Sequence, residues 1–129
     1  MTVAMTIALV MAAAATDVPV ELLQAVCERE SGCRESAYLD NDKGSPSYGA
    51  FQIKLGTAKD MGYSGTPARL MVPVNNALYA AEYLKHQKER YGTWEKAVSA
   101  FNCGHSPCRN KKYVNDVMRR YHVLYELRN

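Results

Sequence analysis

The chain has 129 residues, 47% apolar and 22% charged, with a formal net charge of +3 and a pI near 8.7. That composition excludes a disordered or collagen-like chain and is enough for one domain with its own core. The basic balance suits an anionic polymer but is too slight to argue for nucleic acid as a partner, and none is expected.

Beyond Ala68 isoleucine is absent and threonine is rare, while Ala, Leu, Glu, Lys, Arg and Tyr recur, so helix should dominate. Met1 to Ala15 is an uncharged apolar run ending in four alanines. It has two readings. One is a secretory leader with a small-residue cleavage region. The other is a first helix over residues 1–16 whose stripe is Val3, Ile7, Val10 and Met11. No Lys or Arg precedes Arg29, so the basic head of a leader is missing, and the helix is preferred. The run is short for a membrane span, so no stable membrane insertion is expected.

Asp17-Val18-Pro19 marks the start of a second helix, with Pro near the first position and Glu21 in the first turn. It should run to Ser31 and stop at Gly32. Asp40 to Ser47, "DNDKGSPS", is turn-rich. "YGAFQI" is short and extended, or the lead into a helix. Leu55 to Met61 predicts a helix ended by Gly62, and "YSGTPARLMVP" a loop with a short turn. Asn75 is placed to cap a helix that reaches Tyr91 and ends at Gly92. Thr93 caps the next, with Trp94, Ala97, Val98 and Phe101 at i, i+3, i+4 and i+7. The last helix begins near Lys111, with a stripe of Val114, Val117/Met118, Tyr121 and Leu124/Tyr125. Arg119, Arg120 and Arg128 then fall on a solvated face.

The four cysteines form two close pairs, Cys27/Cys33 and Cys103/Cys108, neither of them C-x-x-C, and only three histidines are scattered along the chain. That spacing speaks against a zinc site, and no metal or cofactor is expected. An even count with short loops reads as two disulfides and an oxidising compartment, with buried free thiols as the alternative. Four cysteines allow three connectivities. Cys103–Cys108 is the best supported pair, since Gly104 and Pro107 let that loop close.

Within "CERESGC", two glutamates take opposite positions. Leu22, Val26 and Glu30 fall at i, i+4 and i+8, and Leu23, Cys27 and Glu30 at i, i+4 and i+7. Glu30 therefore lies on the core-facing stripe, and Glu28, turned roughly 160° away, should face solvent. A carboxyl on an apolar face loses hydration and holds its proton to higher pH, which general acid catalysis at a glycosidic oxygen requires. The plain alternative is a helix-end carboxylate that turns to water. Against it, the negative end of a helix is an unfavourable place for that charge.

"ERESGC", "SPSYGAFQIKLGTAKDMGY", "PVNNALYAAEYL", "AVSAFNCG" and "YVNDV" together resemble the lytic transglycosylase domain shared with goose-type lysozymes, over roughly Val18 to Val117. The family's Glu-Ser motif maps onto Glu30-Ser31, its Gly-Leu-Met-Gln motif onto Gly49-Ala50-Phe51-Gln52, and its Ala-Tyr-Asn motif onto Ala100-Phe101-Asn102. The resemblance implies a mostly α, lysozyme-like single domain over residues 1–129, with at most a small β-hairpin or loop region after the catalytic helix. It also implies cleavage of the β-1,4 bond between N-acetylmuramic acid and N-acetylglucosamine, with Glu30 as the single acid and base and a 1,6-anhydromuramoyl product. Peptidoglycan glycan strands are then the partner, with Gln52 and Asn102 supplying amide contacts. Ser31 and Gly49 belong to the substrate-binding motifs. Tyr48, Phe51, Phe101 and Tyr113 offer flat faces for sugar rings or, as plainly, core packing.

Two departures stand out. The family's Ala-Tyr-Asn tyrosine is Phe101, and Tyr113 is the candidate to supply a hydroxyl instead. Asp40 and Asp42 lie where goose-type lysozymes carry acids that position a water, which would make the enzyme a hydrolytic muramidase. Turn chemistry explains both aspartates more simply. A third reading is a non-catalytic wall-binding part of a phage virion or secretion apparatus. The expected compartment is extracytoplasmic, the periplasm or cell wall, with delivery by a virion or secretion system in view.

Overall fold

In the computed structural model, which describes residues 1–40 and 44–129, the uncharged first segment forms helix α1 (Val3–Thr16). Thr2 caps it by accepting from the Met5 amide at 3.1 Å, and Asp17 ends it in the left-handed conformation. Its buried face is Met5, Ala8, Leu9, Ala12 and Thr16. The expected stripe points outward instead: Val3, Ile7, Val10 and Met11 are each more than half exposed. The helix packs on α5 (Pro73–Tyr91), whose buried residues include Ala77, Ala80 and Ala81. Two alanine-rich faces approach more closely than a face of β-branched residues allows, and that choice rotates α1 away from the apparent stripe.

Helix α2 (Val20–Ser31) follows, with Pro19 at its start and Leu22, Leu23, Ala25, Val26 and Cys27 buried. Gly32 and Cys33 both take positive φ, 70° and 57°, and their amides close on the carbonyls of Glu28 and Cys27. The Cys27–Cys33 disulfide staples this reversal, and Cys103–Cys108 closes the loop after α6. Both loops are short, so each bridge stabilises by about 2–3 kcal/mol through chain entropy.

A three-stranded antiparallel sheet comes next: β1 (Tyr38–Leu39), β2 (Ser47–Tyr48) and β3 (Ile53–Lys54), in order 1-2-3. Tyr38 pairs with Tyr48, and Tyr48 in turn with Ile53. "YGAFQI" is thus two strand ends flanking a turn, Gly49 to Gln52, rather than one extended run. Helices α3 (Leu55–Asp60) and α4 (Pro67–Leu70) lead to α5, then α6 (Trp94–Cys103) and α7 (Lys111–Arg128). The described residues are therefore mostly α, with one small sheet after α2, as expected.

Helix α5 starts at Pro73, not at an Asn75 cap; the Asn75 side chain donates back to the Arg69 carbonyl. Its neighbour Asn76 is fully buried. Its Nδ2 donates to the carbonyls of Tyr48 (2.8 Å) and Leu70 (3.0 Å), and its Oδ1 accepts from the Phe51 amide (2.8 Å). One side chain thereby ties the sheet, its turn and the end of α4 to α5.

The arginine face of α7 also differs from the solvated reading. It lies against α2: Arg120 pairs with Glu28 at 3.3 Å, and Arg128 with Glu21 at 3.6 Å. Glu28 is accordingly half-buried in an ion pair and not directed at open solvent. Each such partly exposed pair adds at most about 1 kcal/mol, so the seam sets orientation more than stability.

Candidate active site

Glu30 sits in the last turn of α2, one residue before the chain reverses. Helix α7, packed across α2, brings Tyr113 from its first turn onto that carboxyl. The buried Tyr113 hydroxyl donates to Glu30 Oε2 at 2.6 Å. Burial pushes the Glu30 pKa above its ordinary value, although the Tyr113 hydrogen bond and the Arg29 charge pull the other way. Tyr113 is raised well above its ordinary value, by burial first and then by the neighbouring Glu30 carboxylate. It therefore remains a donor at neutral pH. Desolvation thus favours the protonated form of Glu30, and the Tyr113 hydroxyl is placed to support the carboxylate once a proton has left.

Glu30 opens into a cleft of about 390 Å³. Gln52 and Lys54 line it from the sheet side, Tyr83 from α5, and Phe101 and Asn102 from α6. Gln52 is a non-glycine residue at φ 51°, and both its backbone amide and its Nε2 donate to the Gly49 carbonyl, at 3.0 and 2.9 Å. That double contact fixes the amide at the cleft wall. Asn102 Oδ1 accepts from Asn110 Nδ2 at 3.1 Å, which orients its own amide. Phe101 lies against Tyr83, ring centroids 5.5 Å apart.

Of the residues expected at the site, Glu30, Gln52, Phe101 and Asn102 share the cleft, and Tyr113 touches Glu30 from behind. Ser31 is turned to the scaffold: its hydroxyl donates to the Ala50 carbonyl at 2.7 Å and accepts from the Arg34 amide at 3.0 Å. Gly49, at φ 73°, is buried in the turn. Tyr48 stacks edge-on with Tyr38 at 5.5 Å. Phe51 is fully buried, so it offers no face to a sugar. Asp40 is exposed, its Oδ1 accepts from the Gly44 amide at 3.1 Å, and it is absent from the cleft lining. Asp42 lies outside the described residues.

Sequence reasoning missed Tyr83, Asn76 and the contacts of Arg29. Tyr83 falls three residues after the buried Ala80 and one before the buried Leu84, so its edge position was readable from spacing. Arg29 carried no signal of its own; its partner, Asp116, is supplied by α7.

A family model described as "Transglycosylase SLT domain" matches residues 8–122. Protein IpgF of Shigella flexneri is 36% identical over 110 residues, which cover 81% of this chain and 72% of that protein. Invasion protein IagB of Salmonella typhi is 33% identical over 114 residues, 83% of this chain and 70% of its own length.

Proposed function

Since the chain belongs to the transglycosylase SLT domain family, we propose that it is a peptidoglycan lytic transglycosylase with Glu30 as its only proton-transferring residue. One observation carries the reading: a desolvated carboxyl opens into the cleft, and among the described residues no second carboxylate lines it. Protonated Glu30 gives its proton to the glycosidic oxygen between N-acetylmuramic acid and N-acetylglucosamine as that bond breaks. The muramoyl C1 becomes cationic, and the new carboxylate sits where the Tyr113 hydroxyl steadies it. The carboxylate then takes the proton of the muramoyl 6-hydroxyl, whose oxygen closes on C1. Glu30 is thereby reprotonated, and the product is a 1,6-anhydro ring.

Gln52 and Asn102 are assigned to N-acetyl groups and sugar hydroxyls, because their amides line the cleft and are held by Gly49 and Asn110. Phe101, which lines the cleft, is assigned to sugar-ring packing, Tyr48 to packing on Tyr38 outside the cleft lining, and Ser31 and Gly49 to holding the turn that carries Gln52. Two disulfides suit work in an oxidising, extracytoplasmic compartment, where the wall lies. Among the described residues no helix is long and apolar enough to cross a membrane. The "invasion protein" name belongs to the relative; for this chain it supports a role in bacterial invasion over a virion one.

Incubation with purified peptidoglycan sacculi is expected to release soluble muropeptides, measured by chromatography. No release from folded protein would favour the non-catalytic wall-binding module instead.

A further inference from the structure

Outside the cleft lining, three arginines converge on one carboxylate. Asp116 Oδ2 accepts from Arg29 Nε at 3.1 Å, and Asp116 Oδ1 from Arg119 at 2.7 Å; Arg120 approaches both oxygens at 3.3 Å. Arg120 continues to Glu28, which also accepts from Gln24. Held from one end by Asp116, the Arg29 guanidinium lies over the Tyr113 ring, 5.3 Å from its centroid. That is cation–π distance. The chain of contacts therefore runs from Asp116 through Arg29 to the Tyr113 ring, and from the Tyr113 hydroxyl to Glu30.

We propose that Arg29 and Asp116 form a positioning clamp, in which the Asp116-anchored guanidinium plane fixes the Tyr113 ring so that its hydroxyl stays aimed at Glu30. The clamp rests on the reading of Glu30 as the acid. Tyr113 comes from a different helix than Glu30, and a phenol ring free to tilt by a fraction of an ångström would loosen a 2.6 Å contact. Arg29 adjoins Glu30 in sequence but meets Tyr113 over its ring, whereas Glu30 meets its hydroxyl, so neighbouring residues of α2 hold the phenol at two points. The arginine suits this task because its planar fork can stack and hold a carboxylate together, which a lysine cannot do.

Arg29 also contributes positive charge near the acid. The titratable groups facing Glu30 are Arg29 on α2 and Tyr113 on α7; across the cleft stand Tyr83 of α5 and Lys54 of β3. Removing the Arg29 cation withdraws one influence that lowers the Glu30 pKa, so the pKa should rise. Charge and plane can thus be separated by choice of substitution.

The test follows Glu30 by carbon-13 NMR titration of its carboxyl, alongside kcat and KM against pH on peptidoglycan. Arg29→Met is expected to raise the Glu30 midpoint, to move the alkaline limb of the rate profile the same way, and to lower kcat roughly tenfold with KM little changed, a fraction of what a general acid supplies. Arg29→Lys should restore the midpoint but not kcat. Asp116→Asn should lower kcat in the same manner, and the two losses should not add, since both act through one contact. An unmoved Glu30 midpoint in Arg29→Met would overturn the electrostatic half of the clamp. An equally large kcat loss from Arg29→Met in a Tyr113→Phe background would overturn the positional half. Should the wild type cleave nothing, the function reading fails, while the titration still decides whether Arg29 acts on Glu30.

Discussion

Glu30→Gln should reduce muropeptide release by at least about a hundredfold, the lower range of what a positioned general acid supplies. The amide keeps the shape of the side chain and can still accept from the Tyr113 hydroxyl, but it has no proton to give to a leaving oxygen. Stability should move in the opposite direction. Glu30 has a raised pKa in the folded chain, so between its unfolded value, near 4.5, and that raised value the folded state binds more protons than the unfolded state. Whatever Glu30 contributes is present below 4.5 and is lost as pH rises through the folded value. Above that window the native protein carries a desolvated charge, and Glu30→Gln should raise the urea midpoint relative to wild type; below it the difference should close. The wild-type rate should likewise fall as pH rises through the Glu30 pKa, because the protonated form is consumed. Activity within tenfold of wild type for Glu30→Gln would remove Glu30 as the acid. A stability difference independent of pH would contradict its desolvation.

The second large effect is structural. Asn76→Leu should destabilise the fold by about 3–5 kcal/mol, since it leaves the Tyr48 and Leu70 carbonyls and the Phe51 amide without a partner in a buried site. That is a large part of the stability of a small domain. Gly49→Ala tests the same contact from the other side. A Cβ at Gly49 would stand 2.5 Å from Asn76 Nδ2, and the residue sits at φ 73°. Much of the Gly49→Ala loss should vanish in an Asn76→Ala background, where the struck atoms are gone and about 1–2 kcal/mol of left-handed backbone cost remains. Urea denaturation of the four proteins measures this. A loss under 1 kcal/mol for Asn76→Leu would show that the turn is held by something else. Because Gln52 hangs from this turn by two bonds to Gly49, the same variants should weaken substrate binding even where they fold.

What could be read from the sequence was what local rules govern. Thr93 caps α6, Gly32 and Gly92 end their helices in the left-handed conformation, and Ala97 and Val98 are buried as their spacing requires. Glu30 on the α2 stripe was legible for the same reason. Failures came where one element's face is chosen by another. The α1 stripe was misjudged because hydrophobicity marks Val3 and Ile7, whereas α5 selects the alanines it can approach closely. Asn76 was passed over beside the expected Asn75 cap, although a polar residue in register with Ala80 and Leu84 signals a buried hydrogen-bonding role. Arg120 and Arg128 read as solvated because their partners, Glu28 and Glu21, lie roughly ninety to a hundred and ten positions away in the chain and meet them only when α7 crosses α2.

Mass analysis of the muramoyl ends released from peptidoglycan tests most directly whether one carboxyl does all the proton transfer. The account expects 1,6-anhydromuramoyl ends, one water lighter than reducing ends, from the wild type and from Asp40→Asn and Asp42→Asn alike. An inverting pair around a water needs carboxylates roughly 6.5–9.5 Å apart, and Asp40 is turned to the Gly44 amide. Reducing muramic acid ends from the wild type, with turnover lost in either aspartate variant, would contradict the single-acid account and establish a hydrolytic muramidase.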